Sequence, residues 1–235
     1  MQRRRCSRII WGKLALVTGG TSGIGLGIVE AMLRRGFRVV VTSRDRARGD
    51  AAAAQLQLLG EAWFVPADAE DDGAIRSSVE ESVALLGGLD ALVNNAGVAL
   101  IAPLLSTPLA EFDRLMRVNL HAVLAYVQAA EPYLTERKGG VVKIASDAGL
   151  RGEQGIDAYP VSKAALVMMS RLLALDLAPG GVRCNCVCPV PRFLGCATLD
   201  PSMIPMWATT RRSGLHRRSA ASVIPRTSPM QCSSS

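Results

Sequence analysis

Residues 14–35 read LALVTGGTSGIGLGIVEAMLRR, and the rest of the chain falls into place around them. Residues 14–17 are a short apolar run closed by glycines, the pattern of a buried parallel strand. Thr18-Gly-Gly-Thr-Ser-Gly-Ile-Gly25 follows, and the amphipathic stretch to about Arg35 predicts a helix. A glycine-rich turn between a strand and a helix N-terminus leaves free backbone N–H groups where a phosphate can sit. Glycine there also lets the helix pack close to the strand. No G-x-x-x-x-G-K-[ST] is present, which argues against a nucleotide-hydrolysing P-loop.

The same alternation continues outward. Strands are predicted at 38–42, 62–67, 91–93, 141–145 and 183–187. Helices are predicted at about 46–59, 70–86 and 109–138, and from Tyr159 to about Leu177. Strand–helix alternation at this spacing gives an α/β, Rossmann-type, doubly wound parallel sheet with helices on both faces. Ligands of such sheets lie across the carboxyl ends of the strands, where Gly19, Asn94, Ser146 and Pro189 converge. In dinucleotide-binding units the second strand ends on an acid that accepts ribose hydroxyls and repels a 2′-phosphate. This chain has Ser43 there and Arg44 directly after it, which favours NADP(H) over NAD(H), because guanidinium pairs well with phosphate.

The chemistry concentrates in residues 144–163, IASDAGLRGEQGIDAYPVSK. Tyr159 and Lys163 are four residues apart and share a helix face. A phenol titrates near pH ~10, and a cation beside it favours the phenolate. Ser146, delivered from the end of a strand, can hold a carbonyl oxygen. Those are the parts of a proton transfer to a carbonyl that receives hydride.

Composition excludes several alternatives. The formal charge of +7 is terminal: residues 1–10 carry four arginines and no acid, and residues 192–235 six arginines and one aspartate. The body from 11 to 191 holds 17 basic and 19 acidic residues, so no nucleic-acid groove is read. Cys184, Cys186 and Cys188 alternate along one strand and so share a face, which is not a zinc spacing. They read as buried reduced thiols of a cytoplasmic chain. His121 and His216 are the only histidines, so no metal site is expected. No apolar run reaches the roughly 18–20 residues that cross a bilayer.

Four motifs together resemble the short-chain dehydrogenase/reductase family over about residues 10–189. Thr18-Gly19-x-x-x-Gly23-x-Gly25 is similar to its cofactor motif and Asn94-Asn95-Ala96-Gly97 to its structural motif. Asn119, Ser146, Tyr159 and Lys163 match its catalytic tetrad in order and spacing, and Arg183-x-Asn185-x-Val187-x-Pro189 its sixth-strand signature. The resemblance implies an NAD(P)-dependent oxidoreductase of the carbonyl reductase type, with a small-molecule carbonyl or alcohol substrate. Tyr159 would be the general acid/base, and Lys163 would lower its pKa and bind the nicotinamide ribose. Ser146 would bond the substrate oxygen, and Asn119 would hold a water of a proton relay. Cofactor contacts would come from Gly19, Thr21, Ser22, Gly23, Ile24, Gly25, Ser43, Arg44, Asp68, Asn95, Ala96, Gly97, Tyr159, Lys163 and Pro189.

The chain departs from the pattern after Pro189. The family usually has glycine next, whereas this chain has Val190, and a β-branched residue would be strained in an unusual backbone conformation. Residues 192–235 show neither apolar period and are rich in Ser, Arg and Pro. The expected organisation is a basic leader 1–10, a catalytic domain 11–191 and an atypical tail 192–235, with the last helix and strand missing or altered. The tail reads as a truncation or a shifted reading frame, with a naturally divergent, partly disordered tail as the alternative. The resemblance implies a homo-oligomer where the C-terminal region is competent. The competing function is a non-catalytic relative that at most binds a dinucleotide.

Overall fold

The computed structural model describes residues 12–100, 102–151 and 158–190. The leader, the tail and the altered last helix and strand expected from the sequence lie outside the described residues. Among the described residues, six strands form one parallel sheet in the order β3-β2-β1-β4-β5-β6. They are β1 Leu14–Thr18, β2 Arg38–Ser43, β3 Ala62–Pro66, β4 Ala91–Asn94, β5 Gly140–Ile144 and β6 Arg183–Val187. The order reverses between β1 and β4, and a crevice opens there at the strand ends.

All five residues of β1 are buried, as a strand covered on both faces requires. Leu14 and Leu16 belong to one core cluster with Val40, Leu92 and Val141. That cluster packs under the helices α3 Asp72–Leu86, α5 Ala122–Glu136 and α6 Ala158–Leu177 through Ile75, Val79, Tyr126, Leu134 and Leu173. Ala15 and Val17 point the other way, with Val39, Val41 and Val93, against Val29 and Leu33 of α1 (Gly23–Leu33) and Leu56 of α2 (Arg46–Leu56). Each fully buried Leu or Val contributes about 1.5–3 kcal/mol relative to exposure, so the two layers fix the strand ends from both sides.

Polar residues set the helix starts. Asp45 caps α2 by accepting from Arg48 N at 3.0 Å, and Asp71 caps α3 by accepting from Gly73 N at 2.8 Å. The stretch predicted as a single helix over 109–138 is α4 Leu109–Met116, a π-helical turn Arg117–His121 and then α5. The π turn carries Asn119 and re-aims it without ending the helix. The fifth strand ends at Ile144, so Ser146 stands in the loop and caps a short 3₁₀ helix, Asp147–Leu150.

Candidate active site

The glycine-rich turn that begins at Thr18 is held from below. Thr18 Oγ1 accepts from the backbone N–H groups of Asn95 and Ala96, both at 3.0 Å. Asn95 Nδ2 donates back to the carbonyls of Thr18 and Gly19 at 3.1 and 3.0 Å. Gly19 takes φ +63°, and a Cβ on it would stand 2.9 Å from Ala96 Cα, so only glycine fits where the two loops meet. Ser22 stands at the N-cap of α1 with no side-chain cap bond, which leaves the first-turn N–H groups available to a ligand.

A cavity of about 380 Å³ opens over this turn. Gly19, Thr21 and Ser22 line one part of it, Ser43, Arg44 and Asp68 a second, and Asn95, Ala96 and Gly97 a third. Gly23, Ile24 and Gly25 begin α1 outside the cavity lining, which also lacks Tyr159, Lys163 and Pro189. Arg48, which the sequence reading passed over, stands beside Arg44 in the lining as a second guanidinium. Its position in the first turn of α2 is the signal that could have found it. Uncapped helix N–H groups, the hydroxyls of Thr21, Ser22 and Ser43, two guanidiniums and a glycine cradle form the donor set that a dinucleotide phosphate needs, so these residues fit one.

The second half of the site lies at the ends of β4, β5 and β6. Lys163 is 4% exposed, and its Nζ donates to the Ile144 carbonyl at 3.0 Å. It stands 5.5 Å from the centroid of the half-buried Tyr159 ring. Burial pushes the Lys163 pKa down to about 8, while neighbouring Cys186 and Cys188 act in the opposite sense. Burial chiefly raises the Cys188 thiol.

Asn119 is fully buried. Its Oδ1 accepts from Val98 N at 2.8 Å, and its Nδ2 donates to Val98 O at 2.8 Å and to Ser162 Oγ at 3.0 Å. The carboxamide thus holds the loop after β4 to α6. A Cβ on Gly97 would come within 3.1 Å of Asn119 Oδ1 and 3.4 Å of Lys163 Nζ, so a bare backbone fills that corner.

Ser146 Oγ accepts from Ala148 N at 3.2 Å and faces Asp147 Oδ1 at 3.4 Å. Asp147 is buried, accepts from Arg151 at 2.6 Å and ties its own N–H to Pro189 O at 3.2 Å. Neither Asp147 nor Val98 was singled out from the sequence. An acid next to the serine was legible; a backbone partner was not.

Two expectations are corrected. Cys184, Cys186 and Cys188 are free thiols, as read, but only half-buried, because β6 borders the sheet among the described residues. Val190 takes no positive φ, so the strain expected for it does not arise. Among the described residues no group of His, Cys, Asp or Glu could hold a metal ion, and no helix is long and apolar enough to cross a membrane.

A family model described as short chain dehydrogenase matches residues 13–192. The chain is 36% identical over 197 residues to the L-fucose dehydrogenase of Rattus norvegicus, covering 81% of this chain and 72% of that protein. It is 39% identical over 203 residues to the sex determination protein tasselseed-2 of Zea mays, covering 83% of this chain and 58% of that one. Among solved structures, the Pseudomonas aeruginosa RhlG/NADP active-site complex superposes with a TM-score of 0.74 at 33% identity, over 77% of this chain and 73% of that one. An NAD+-bound xylitol dehydrogenase does so with 0.75 at 29% identity, over 77% and 71%.

Proposed function

We propose that this chain, which belongs to the short-chain dehydrogenase family and is an oxidoreductase acting on CH–OH groups, moves hydride between NADP(H) and a small or medium ketone or secondary alcohol. Tyr159 is its general acid and base. The observation that carries this reading is the buried Lys163 amine, anchored on the Ile144 carbonyl 5.5 Å from the centroid of the Tyr159 ring.

The nicotinamide cofactor, when bound, supplies or accepts the hydride. The turn from Gly19 through Gly23, Ile24 and Gly25, with Thr21 and Ser22, would hold its pyrophosphate. Ser43 and Arg44 would take the 2′-phosphate, and Asp68 would meet the adenine. Asn95, Ala96, Gly97, Lys163 and Pro189 would border the nicotinamide half.

The residues divide the proton work. Tyr159 gives its hydroxyl proton to the substrate oxygen during reduction and takes it back during oxidation. With a pKa of about 8, Lys163 is mostly charged at neutral pH and favours the phenolate beside it. Ser146 turns its O–H from Asp147 toward the substrate oxygen and keeps Ala148 N as donor. Asn119 keeps Val98, and with it Gly97, packed against the amine.

The test is a fluorescence titration of the full chain with NADPH and with NADH, then a carbonyl-substrate screen with Tyr159→Phe as control. NADPH binding and a turnover lost in the variant are expected. Unchanged turnover by Tyr159→Phe would remove the tyrosine from the mechanism, and tighter NADH binding would remove the phosphate role of Arg44.

A further inference from the structure

Away from the proposed catalytic groups, β5 and β6 carry a second reactive pair. Lys143 pairs with Cys186 and Val141 with Cys184 in the parallel register, so all four side chains stand on one face of the sheet. Among the described residues Lys143 is the largest fully buried side chain. Among the described residues its Nζ has one polar contact, Cys184 Sγ, at 2.6 Å. Cys184 itself is half-buried, with its sulfur 3.5 Å from the Ser170 carbonyl.

Two features of this pair are out of the ordinary. Lysine is almost never fully buried unless it is paired, and a buried ammonium normally gathers oxygen acceptors, as Lys163 does with Ile144 O. The separation is also shorter than a typical N–H···O bond of about 2.9 Å, although sulfur is the larger atom. It is too short for a hydrogen bond to sulfur and too long for a direct N–S bond. Two single bonds meeting at one oxygen span that length. A nitrogen bonded in that way carries no charge, which removes the penalty of burying an ammonium.

We propose that Lys143 and Cys184 are a modification site, joined by a peroxide into a covalent N–O–S bridge that links β5 to β6. The Cys184 sulfur takes an oxygen from one peroxide, giving a sulfenic acid and water. The Lys143 amine takes an oxygen from a second, giving a hydroxylamine and water. The two condense as the hydroxylamine oxygen bonds to sulfur and the sulfenic oxygen leaves as water. The four electrons lost by sulfur and nitrogen reduce the two peroxides, and two equivalents of a dithiol return the free thiol, the amine and one water. The bridge starts three residues before Ser146 and ties together the strands that deliver Ser146 and Pro189.

The test uses the full chain, folded by its melt, treated with hydrogen peroxide, alkylated and digested with trypsin without reductant. Peptide 139–151 should appear uncut at Lys143 and linked to peptide 184–192, about 14 Da heavier than the two together, for one oxygen gained and two hydrogens lost. The species should rise at least tenfold with peroxide and disappear with dithiothreitol. Normal cleavage at Lys143 after peroxide, with Cys184 alkylated, overoxidised or in a disulfide, overturns the proposal. So does a linked pair that is only two hydrogens lighter, which would be a direct S–N bond. The wild-type digest decides the matter alone, and Lys143→Met and Cys184→Ser should each abolish the linked species where they fold.

Discussion

Replacing Lys163 by methionine should make the protein more stable at neutral pH while disabling it. The Lys163 amine is almost fully buried, with a pKa near 8 against an ordinary lysine value of 10.5. The unfolded chain therefore keeps its proton up to about 10.5, while the folded chain loses it near 8. Below pH 8 the folded state carries the full penalty of a desolvated ammonium. That penalty is relieved as the pH rises from about 8 to 10.5, so this group adds stability with increasing pH. A difference of about 2.5 units at 1.36 kcal/mol each amounts to about 3 kcal/mol. Methionine loses the 3.0 Å bond to Ile144 O, which offsets about 1–2 kcal/mol of the gain. Urea unfolding of both proteins from neutral pH upward should show the variant ahead by about 1–2 kcal/mol at pH 7, with the difference shifting by about 3 kcal/mol in favour of wild type by pH ~10. Cys186 and Cys188 lie close enough to act on the Lys163 charge, and a Cys186→Ser, Cys188→Ser background isolates the lysine. A difference that stays constant with pH would show that Lys163 does not bear a desolvation penalty.

Tyr159→Phe should lower kcat/KM by about 10²–10⁴ with the melt and the NADPH titration unchanged, and a loss of folding instead would make the tyrosine structural. Arg44→Ala should weaken NADPH about tenfold or more and leave NADH unchanged, since an ionic hydrogen bond contributes about 1.5–3 kcal/mol. Equal weakening of both cofactors would mean that Arg44 does not read the 2′-phosphate. Asp90 accepts from Lys13 at 2.7 Å and from Leu14 N at 2.9 Å, and Arg137 lies alongside. Although burial pulls the other way, these partners hold its carboxyl below the ordinary carboxylate range. Its stabilisation is present above the unfolded pKa of about 4 and lost as pH falls through the lower folded value. Acid unfolding of Asp90→Asn should accordingly lack that part of the pH dependence, and an unchanged acid limb would refute the role.

What the sequence showed and hid follows from the physics of each element. The strands were legible because a parallel sheet buried on both faces needs continuous apolar runs, and residues 14–17 and 91–93 are such runs. The glycine-rich turn was legible because few residues except glycine fit at Gly19. The π turn at Arg117–His121 was not, because its side chains suit an α-helix equally well and the extra residue is a backbone event. Lys143 was passed over because a charged residue in GVVKI reads as a solvated position in the alternation, and only the pairing with β6 shows that it is fully buried. Asp147 was overlooked beside the more conspicuous Ser146. The strain expected at Val190 rested on a backbone angle that no sequence specifies, and Val190 takes no positive φ.

The two halves of the site are coupled by side-chain bonds rather than by proximity alone. Thr18 and Asn95 lock the glycine-rich turn to the loop after β4. Two residues beyond Ala96, Val98 is held at both its N–H and its carbonyl by Asn119. Asn119 reaches Ser162 Oγ, which donates to the Tyr159 carbonyl at 2.7 Å, and the next residue, Lys163, is anchored on the end of β5. Each neutral bond is worth only about 1 kcal/mol, too little for any one of them to decide folding. Their sequence is what counts, because a displacement of about 1 Å between reacting groups can cost about 10²-fold in rate. The chain of bonds therefore does more for placement than for stability. It fixes the distance between the cleft proposed to take the phosphates and the tyrosine proposed to handle the proton, which neither a strand end nor a helix start could hold by itself.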